Sequence, residues 1–179
     1  MPTPFSQFIK DNLKREELVG VEIGVFQGIN AVYFLQELPI KKQYLVDNYK
    51  PYWDGGGVNY AQEQMDAYYS EAIKATEPYF EKTRFIIKDS VSAEKLFPDN
   101  YFDFVYIDAG HTYNEATNDI IFWWDKCKTG GVFGGHDYGT VNGTEVKKAV
   151  DDFLKEKGIT TPPSIGMRVG EAMEWAIVK

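Results

Sequence analysis

Leu18-Val19-Gly20-Val21-Glu22-Ile23-Gly24-Val25-Phe26-Gln27-Gly28 decides the fold. An apolar run long enough for a buried strand carries one acid, Glu22, and two glycines four positions apart follow it. Ile29-Asn30-Ala31-Val32-Tyr33-Phe34-Leu35 then reads as a helix. Strand, glycine turn and helix together open a nucleotide-binding α/β unit. Glycine permits the sharp reversal and lets a ligand come close to the backbone. The first turn of the helix offers N–H groups that have no partner within the helix.

The spacing of the glycines narrows the nucleotide. A dinucleotide fingerprint needs G-x-G-x-x-G, which counted from Gly24 requires glycines where this chain has Phe26 and Ile29. A phosphate loop would need Gly-Lys-Ser/Thr, and the stretch has none. What stands here is E-x-G-x-x-x-G, which resembles motif I of the class I S-adenosylmethionine (SAM) methyltransferases. The later motifs resemble the small metal-assisted O-methyltransferases and their uncharacterised bacterial and phage relatives. Where that family carries its middle glycine, this chain has Phe26. A sulfonium amino acid has no pyrophosphate, so it needs less anion-cradling backbone. The resemblance spans about residues 18 to 178. It implies SAM as cofactor, seated on Gly24, Phe26, Gln27 and Gly28 with its amino-acid end near Glu22 and Asp108.

Outward from the turn, Phe5, Phe8, Ile9 and Leu13 fall at helical spacing and predict an amphipathic helix over residues 4–16. On the other side Pro39 closes the first α/β helix, and Gln43–Asp47 reads as a second strand ending in a carboxylate. Asp47 lies about 20 residues after the glycine turn, where an acid that accepts from both ribose hydroxyls belongs. Asn48 beside it joins the same cofactor-binding set. Residues 49–58 hold three glycines beside Tyr49, Tyr52 and Trp53. They read either as a lid or as a surface loop whose rings pack locally. Asn59 with Gln62 suggests a capping box for a helix reaching Thr76.

Thr83–Ile87 predicts a third strand, followed by Asp89 and Ser90. The resemblance assigns those two an adenine contact, while their position before Ala93–Leu96 suits a helix cap; one role does not exclude the other. Phe102–Asp108 reads as a central parallel strand, nearly all apolar, running into Ala109-Gly110-His111. Thr112 with Glu115 forms a capping box for the helix through Trp124. Gly131–Gly134 predicts a short fifth strand before His136 and Asp137, and Asn142 with Glu145 a cap for the next helix, which Gly158 stops. Ser164–Lys179 reads as two strands around residues 169–172. The expected fold is α/β: a Rossmann-like, doubly wound, seven-stranded sheet, mostly parallel, with a C-terminal antiparallel hairpin.

Ligands of an open parallel sheet bind beyond the carboxyl ends of its strands. Glu22, Asp47, Asp89, Asp108, His111, His136 and Asp137 all fall at such ends, and they include both histidines of the chain. By resemblance, Asp108, His136 and Asp137 match the metal ligands of the metal-assisted enzymes, with His136 where those carry a carboxylate. Magnesium prefers oxygen ligands, so the histidine shifts the expectation toward manganese, iron or zinc, or toward no metal. Asp108, His111 and His136 are the candidate catalytic residues. Either imidazole, with an ordinary pKa of about 6.5, could take the proton of an acceptor hydroxyl.

The totals bound the rest. At 179 residues a single methyltransferase domain over 1–179 is expected, large enough to bury its own core. A net charge of −8 argues against a nucleic-acid duplex as partner, since phosphate binding rests on Lys and Arg. No apolar stretch suits a membrane span or a signal peptide, and the single Cys127 suits a reducing compartment, so a cytoplasmic location is expected. The expected partner is a small-molecule acceptor, with a homo-oligomer left open. The competing readings are an NAD(P)-dependent oxidoreductase and a non-catalytic SAM-binding module.

Overall fold

A computed structural model describes residues 3–53, 58–139, 144–161, 163–167 and 173–179. Among them, seven strands form one sheet. Helix α1 (Pro4–Asn12) precedes β1 (Leu18–Ile23), α2 (Ile29–Glu37) and β2 (Ile40–Asp47). A short ribbon, β3 (Tyr52–Trp53) and β4 (Asn59–Tyr60), leads to α3 (Gln62–Thr76) and β5 (Thr83–Ile87). Then come α4 (Ser90–Ala93), β6 (Phe102–Ile107), α5 (Tyr113–Trp124), β7 (Cys127–Gly135) and α6 (Thr144–Glu156). The hairpin β8 (Ser164–Met167) and β9 (Met173–Val178) closes the chain. The sheet order is β5-β2-β1-β6-β7-β9-β8. The first five strands are parallel, and β9 runs antiparallel to both β7 and β8. This is the expected architecture; residues 168–172, where the hairpin turn was read, lie outside the described residues.

All six residues of β6 are buried, as a strand covered on both faces requires. Val105 and Ile107 pack under the layer of α5 and α6, with Trp123, Val150 and Phe153. Phe104 and Tyr106 face the opposite layer, with Phe5 and Ile9 of α1 and Phe34 of α2. Thr3 caps α1 by accepting from the Ser6 N–H at 3.0 Å, and Pro4 stands at its start, where a missing N–H costs nothing. The helix ends at Asn12, four residues before the predicted limit. Leu13 turns extended and buries itself, and Arg15 pairs with Asp103 at the amino end of β6.

Two other details differ from the sequence expectation. Strand β7 covers Cys127–Gly135 rather than only Gly131–Gly134. Asn59 does not cap α3: it pairs with Trp53 in the ribbon, and the N-cap is Ala61, with no side-chain cap bond. Gln62 instead donates to the Tyr49 carbonyl at 2.9 Å, which ties the helix start to the end of β2. Asn142 lies outside the described residues. No helix among the described residues is long and apolar enough to cross a membrane.

Candidate functional site

The glycine turn leaves β1 through a run of unusual backbone. Gly24 has φ +85° and Gly28 φ +78°. A Cβ at Gly24 would sit 1.9 Å from the Asp108 carbonyl oxygen, so only glycine lets β1 and β6 come this close at their ends. Phe26, between them, also adopts a left-handed φ of +51°, which explains why glycine suits this position in the resembling motif. Its ring is held by Tyr68 and Tyr60, at centroid distances of 4.2 and 5.5 Å.

Asp47 is built into this turn. One carboxylate oxygen accepts from the backbone N–H groups of Val25 and Phe26, both at 3.0 Å, and the other from Tyr49 at 2.8 Å. Three of the roughly four acceptor positions of a carboxylate are therefore used. Tyr49 is itself left-handed at φ +48° and buried, and its hydroxyl donates to the Phe26 carbonyl at 3.0 Å. Burial pushes the Tyr49 phenol above its ordinary range. Glu22 lies fully buried inside β1 and lines neither of the cavities described next, whereas Asp108 lines both.

Two open cavities, of about 420 and 370 Å³, meet at the carboxyl ends of the strands. They share Gly24, Phe26, Tyr52, Asp108 and Ala109. The larger runs past Asp47 and Asn48 to Asp89, Ser90, Asn118 and Asp119. The smaller is walled by Phe26, Gln27, Tyr52 and Tyr60 on one side and by Asn30, His111 and His136 on the other. Tyr52 and Tyr60 lie parallel across the ribbon, 6.2 Å apart and 7° from coplanar. The stretch 49–58, read as a lid or as a surface loop, thus carries one strand of a paired ribbon, and its Tyr52 lines both cavities; residues 54–57 lie outside the described residues.

At the junction stands a titratable cluster. Asp108 accepts from the Asn30 amide at 2.9 Å and lies 3.6 Å from His136 Nδ1. Asp137 is set between the two histidines, 3.0 Å from His111 Nε2 and 3.2 Å from His136 Nδ1. Its backbone is held left-handed at φ +62°, which aims the carboxylate inward. Burial raises Asp108 to about 6, against the pull of His136. Burial alone would lower His136, but its bond to Asp137 and the nearby Asp108 charge carry it up to about 9. The Asp137 bond likewise raises His111. Burial works against Asp137, yet the two histidines hold its carboxyl well below the usual range.

Two carboxylates facing two protonated imidazoles balance their charge, and one divalent cation would balance it equally well. Asp108, His111 and Asp137 each offer a ligand atom, all within 4.8 Å of one another. His136, the ligand read from the sequence, has its Nδ1 3.6 Å from Asp108 and 3.2 Å from Asp137, so both imidazoles face the same two carboxylates. Asp89 is exposed and caps α4, accepting from the Ser92 N–H at 2.9 Å, so the capping reading holds. Ser90 accepts from Trp123 Nε1 at 2.8 Å. Sequence reasoning missed Asn30 and Asp119. Asp119 falls on the apolar stripe of α5 with Ala116, Ile120 and Trp123, a polar residue where the period demands an apolar one. That mismatch was a usable signal.

Comparison with known proteins agrees with the fold. The family model described as a methyltransferase domain matches residues 21–138. Among solved structures, an rRNA methylase from Streptococcus thermophilus superposes with a TM-score of 0.65 at 14% identity, over 97% of this chain and 93% of that one. TrmK of M. capricolum, in complex with S-adenosylhomocysteine, gives 0.64 at 14% identity over 98% and 67%. The O-methyltransferase NovP gives 0.62 at 17% identity over 98% and 77%. At such identities the likeness is one of fold. No curated protein matches the sequence.

Proposed function

The chain belongs to the methyltransferase-domain family, and on that premise we propose that it transfers a methyl group from SAM to a hydroxyl of a small-molecule acceptor, assisted by a divalent cation. One observation carries the reading. The cavity over the glycine turn and the cavity holding both histidines share a wall at Gly24 and Asp108. A donor in the first would present its reactive end to an acceptor in the second.

The residues fit both groups. Gly24 stands at the wall of both cavities, and the larger cavity, at about 420 Å³, is of the size that holds such ligands. For the metal, two carboxylates and an imidazole make a mixed oxygen and nitrogen donor set, which suits manganese, iron or zinc better than magnesium. SAM, when bound, supplies a methyl group on a positively charged sulfur. A cation held by Asp108, His111 and Asp137 would lower the pKa of a hydroxyl beside it.

The chain itself contributes position and a proton acceptor. Asp47 and Tyr49 fix the turn, so the reactants meet a preorganised surface. Asn48, also at the cavity wall, offers polar contact to the ribose beside Asp47. His136, its Nδ1 held by Asp137, lines the acceptor cavity and takes the hydroxyl proton when it is in its neutral form. The aromatic wall of Phe26, Tyr52 and Tyr60 suits a flat acceptor of modest size.

Titration calorimetry with S-adenosylhomocysteine and with NADH tests the cofactor. We expect heat with the first only, and heat with NADH only would reverse the reading. Methyl transfer to a panel of small hydroxyl compounds, with EDTA and then with added manganese, tests the cation. Activity should vanish in EDTA and return with manganese; full activity in EDTA would remove the metal from the proposal.

A further inference from the structure

We propose that Asn30 is a positioning residue for the cation site: its side-chain amide grips one oxygen of Asp108 and keeps the other for the ion. The inference rests on the cation-assisted reading above, and it gives a task to a residue that is not itself one of the ligands. Asn30 stands in the first turn of α2, just after Gly28, and lines the smaller cavity with Asp108, His111 and His136.

Three observations carry it. The first is a division of labour within one carboxylate. Asn30 Nδ2 donates to Asp108 Oδ2 at 2.9 Å, while Oδ1 is the oxygen turned to the histidines, 3.6 Å from His136 Nδ1. The second is the backbone beneath both residues. The Asp108 N–H donates to the Ile23 carbonyl at 2.7 Å, and Gly24 packs so close to Asp108 that a Cβ would stand 1.9 Å from its carbonyl oxygen. On the other side, the Gly28 carbonyl accepts from the Val32 N–H at 3.1 Å, which fixes the start of α2. With both main chains pinned, the direction of the Asp108 carboxylate is what remains to be set, and the amide sets it. The third is the character of the donor. An amide NH₂ can only donate and carries no titratable proton, so this partner stays the same whether or not an ion is present.

The consequence is preorganisation. A carboxylate that swings freely must lose that freedom when it ligates. One already held by an oxygen does not, and metal ligands owe about 10- to 100-fold in affinity to hydrogen-bond partners of this kind.

The test is binding of manganese, followed through the electron paramagnetic resonance signal of the free ion, beside calorimetric binding of S-adenosylhomocysteine. Asn30→Leu keeps the side-chain volume and removes the donor. It should bind manganese about 10- to 100-fold more weakly than the wild-type protein. Its Kd for S-adenosylhomocysteine should stay within about threefold of the wild-type value. A merely structural role would lower the melting temperature and leave the manganese affinity of the folded protein unchanged. Manganese affinity within about threefold of wild type overturns the inference. An equal fall in both affinities overturns it too, because the side chain would then serve the cofactor. If Asn30→Leu fails to fold by circular dichroism, Asn30→Ala decides by the same criteria. Wild-type protein that takes S-adenosylhomocysteine but no manganese removes the cation from the proposed function, and this inference with it. Tight manganese binding by the wild type, matched by the variant, sinks this inference alone.

Discussion

Asp103 enters β6 at the amino end and Asp108 leaves it at the carboxyl end, and the two carboxyls meet different kinds of partner. Asp103 is 2% exposed and pairs with Arg15, with Lys128 at 2.8 Å and with the Val19 N–H at 2.8 Å. Arginine and lysine keep their charge at every pH the protein experiences, so this end is locked. Asp108 has an asparagine and a histidine near it. The histidine can release a proton or ligate, and burial raises the Asp108 carboxyl to about 6. The backbone follows the same division. Of the four non-glycine residues with positive φ among the described residues, Phe26, Tyr49 and Asp137 stand at the carboxyl ends of β1, β2 and β7. Strain and convertible charge are gathered where ligands bind, and fixed pairs hold the far side.

The comparison can be broken most sharply at Asp108. Asp108→Asn should lower kcat/KM by about 10³-fold while leaving the melting temperature within a few degrees. A loss of stability without a loss of rate would show that the two ends were wrongly distinguished. The mirror experiment is Asp103→Ala. It should cost about 3 kcal/mol in urea unfolding, because Arg15, Lys128 and the Val19 N–H all lose their acceptor, with kcat/KM nearly unchanged in the folded fraction.

A smaller effect distinguishes the ends by pH. Asp119 is raised in the folded state to about 6 from an ordinary value of 3.8. The folded protein therefore binds that proton more tightly than the unfolded chain. The stability it contributes is full below about pH 4 and is lost as pH rises through about 6. Asp119→Asn should flatten the pH dependence of unfolding between pH 4 and 7 by on the order of 2 kcal/mol. An identical slope in the variant would refute the burial argument. The smallest effect belongs to Phe26→Gly. Relief of the left-handed backbone offsets the lost contacts with Tyr60 and Tyr68, so stability should move by no more than about 1 kcal/mol. A much larger loss would mean that ring packing, rather than the turn, holds this corner.

Much of the fold was readable because local signals agreed with the global pattern. Gly24 and Gly28, the nearly all-apolar β6 and the capping box of Thr112 with Glu115 each had one structural solution, and the structure adopts it. The length of β7 was hidden because Lys128, Thr129 and two glycines break the apolar run that marks a strand. Asn59 misled because a capping motif and a ribbon residue look alike in sequence, and pairing with Trp53 settled the competition. In the site, residue types at strand ends could be read but not their partners. That Asp47 would bond the turn above it, or that His111 would join Asp108 and Asp137 alongside His136, depends on side-chain directions set by tertiary packing.

The carboxylate of Glu174 in β9 accepts from the Phe5 N–H at 2.7 Å, across 169 positions of chain, and from the Tyr106 hydroxyl at 3.0 Å. Helix α1 thus docks on an anchor that the ribosome delivers 169 residues after Phe5. Until β9 emerges, Phe5 and Ile9 have only part of their seat. Docking of α1 should therefore wait for β9, and premature termination before β9 should yield chains that expose that apolar helix face and aggregate.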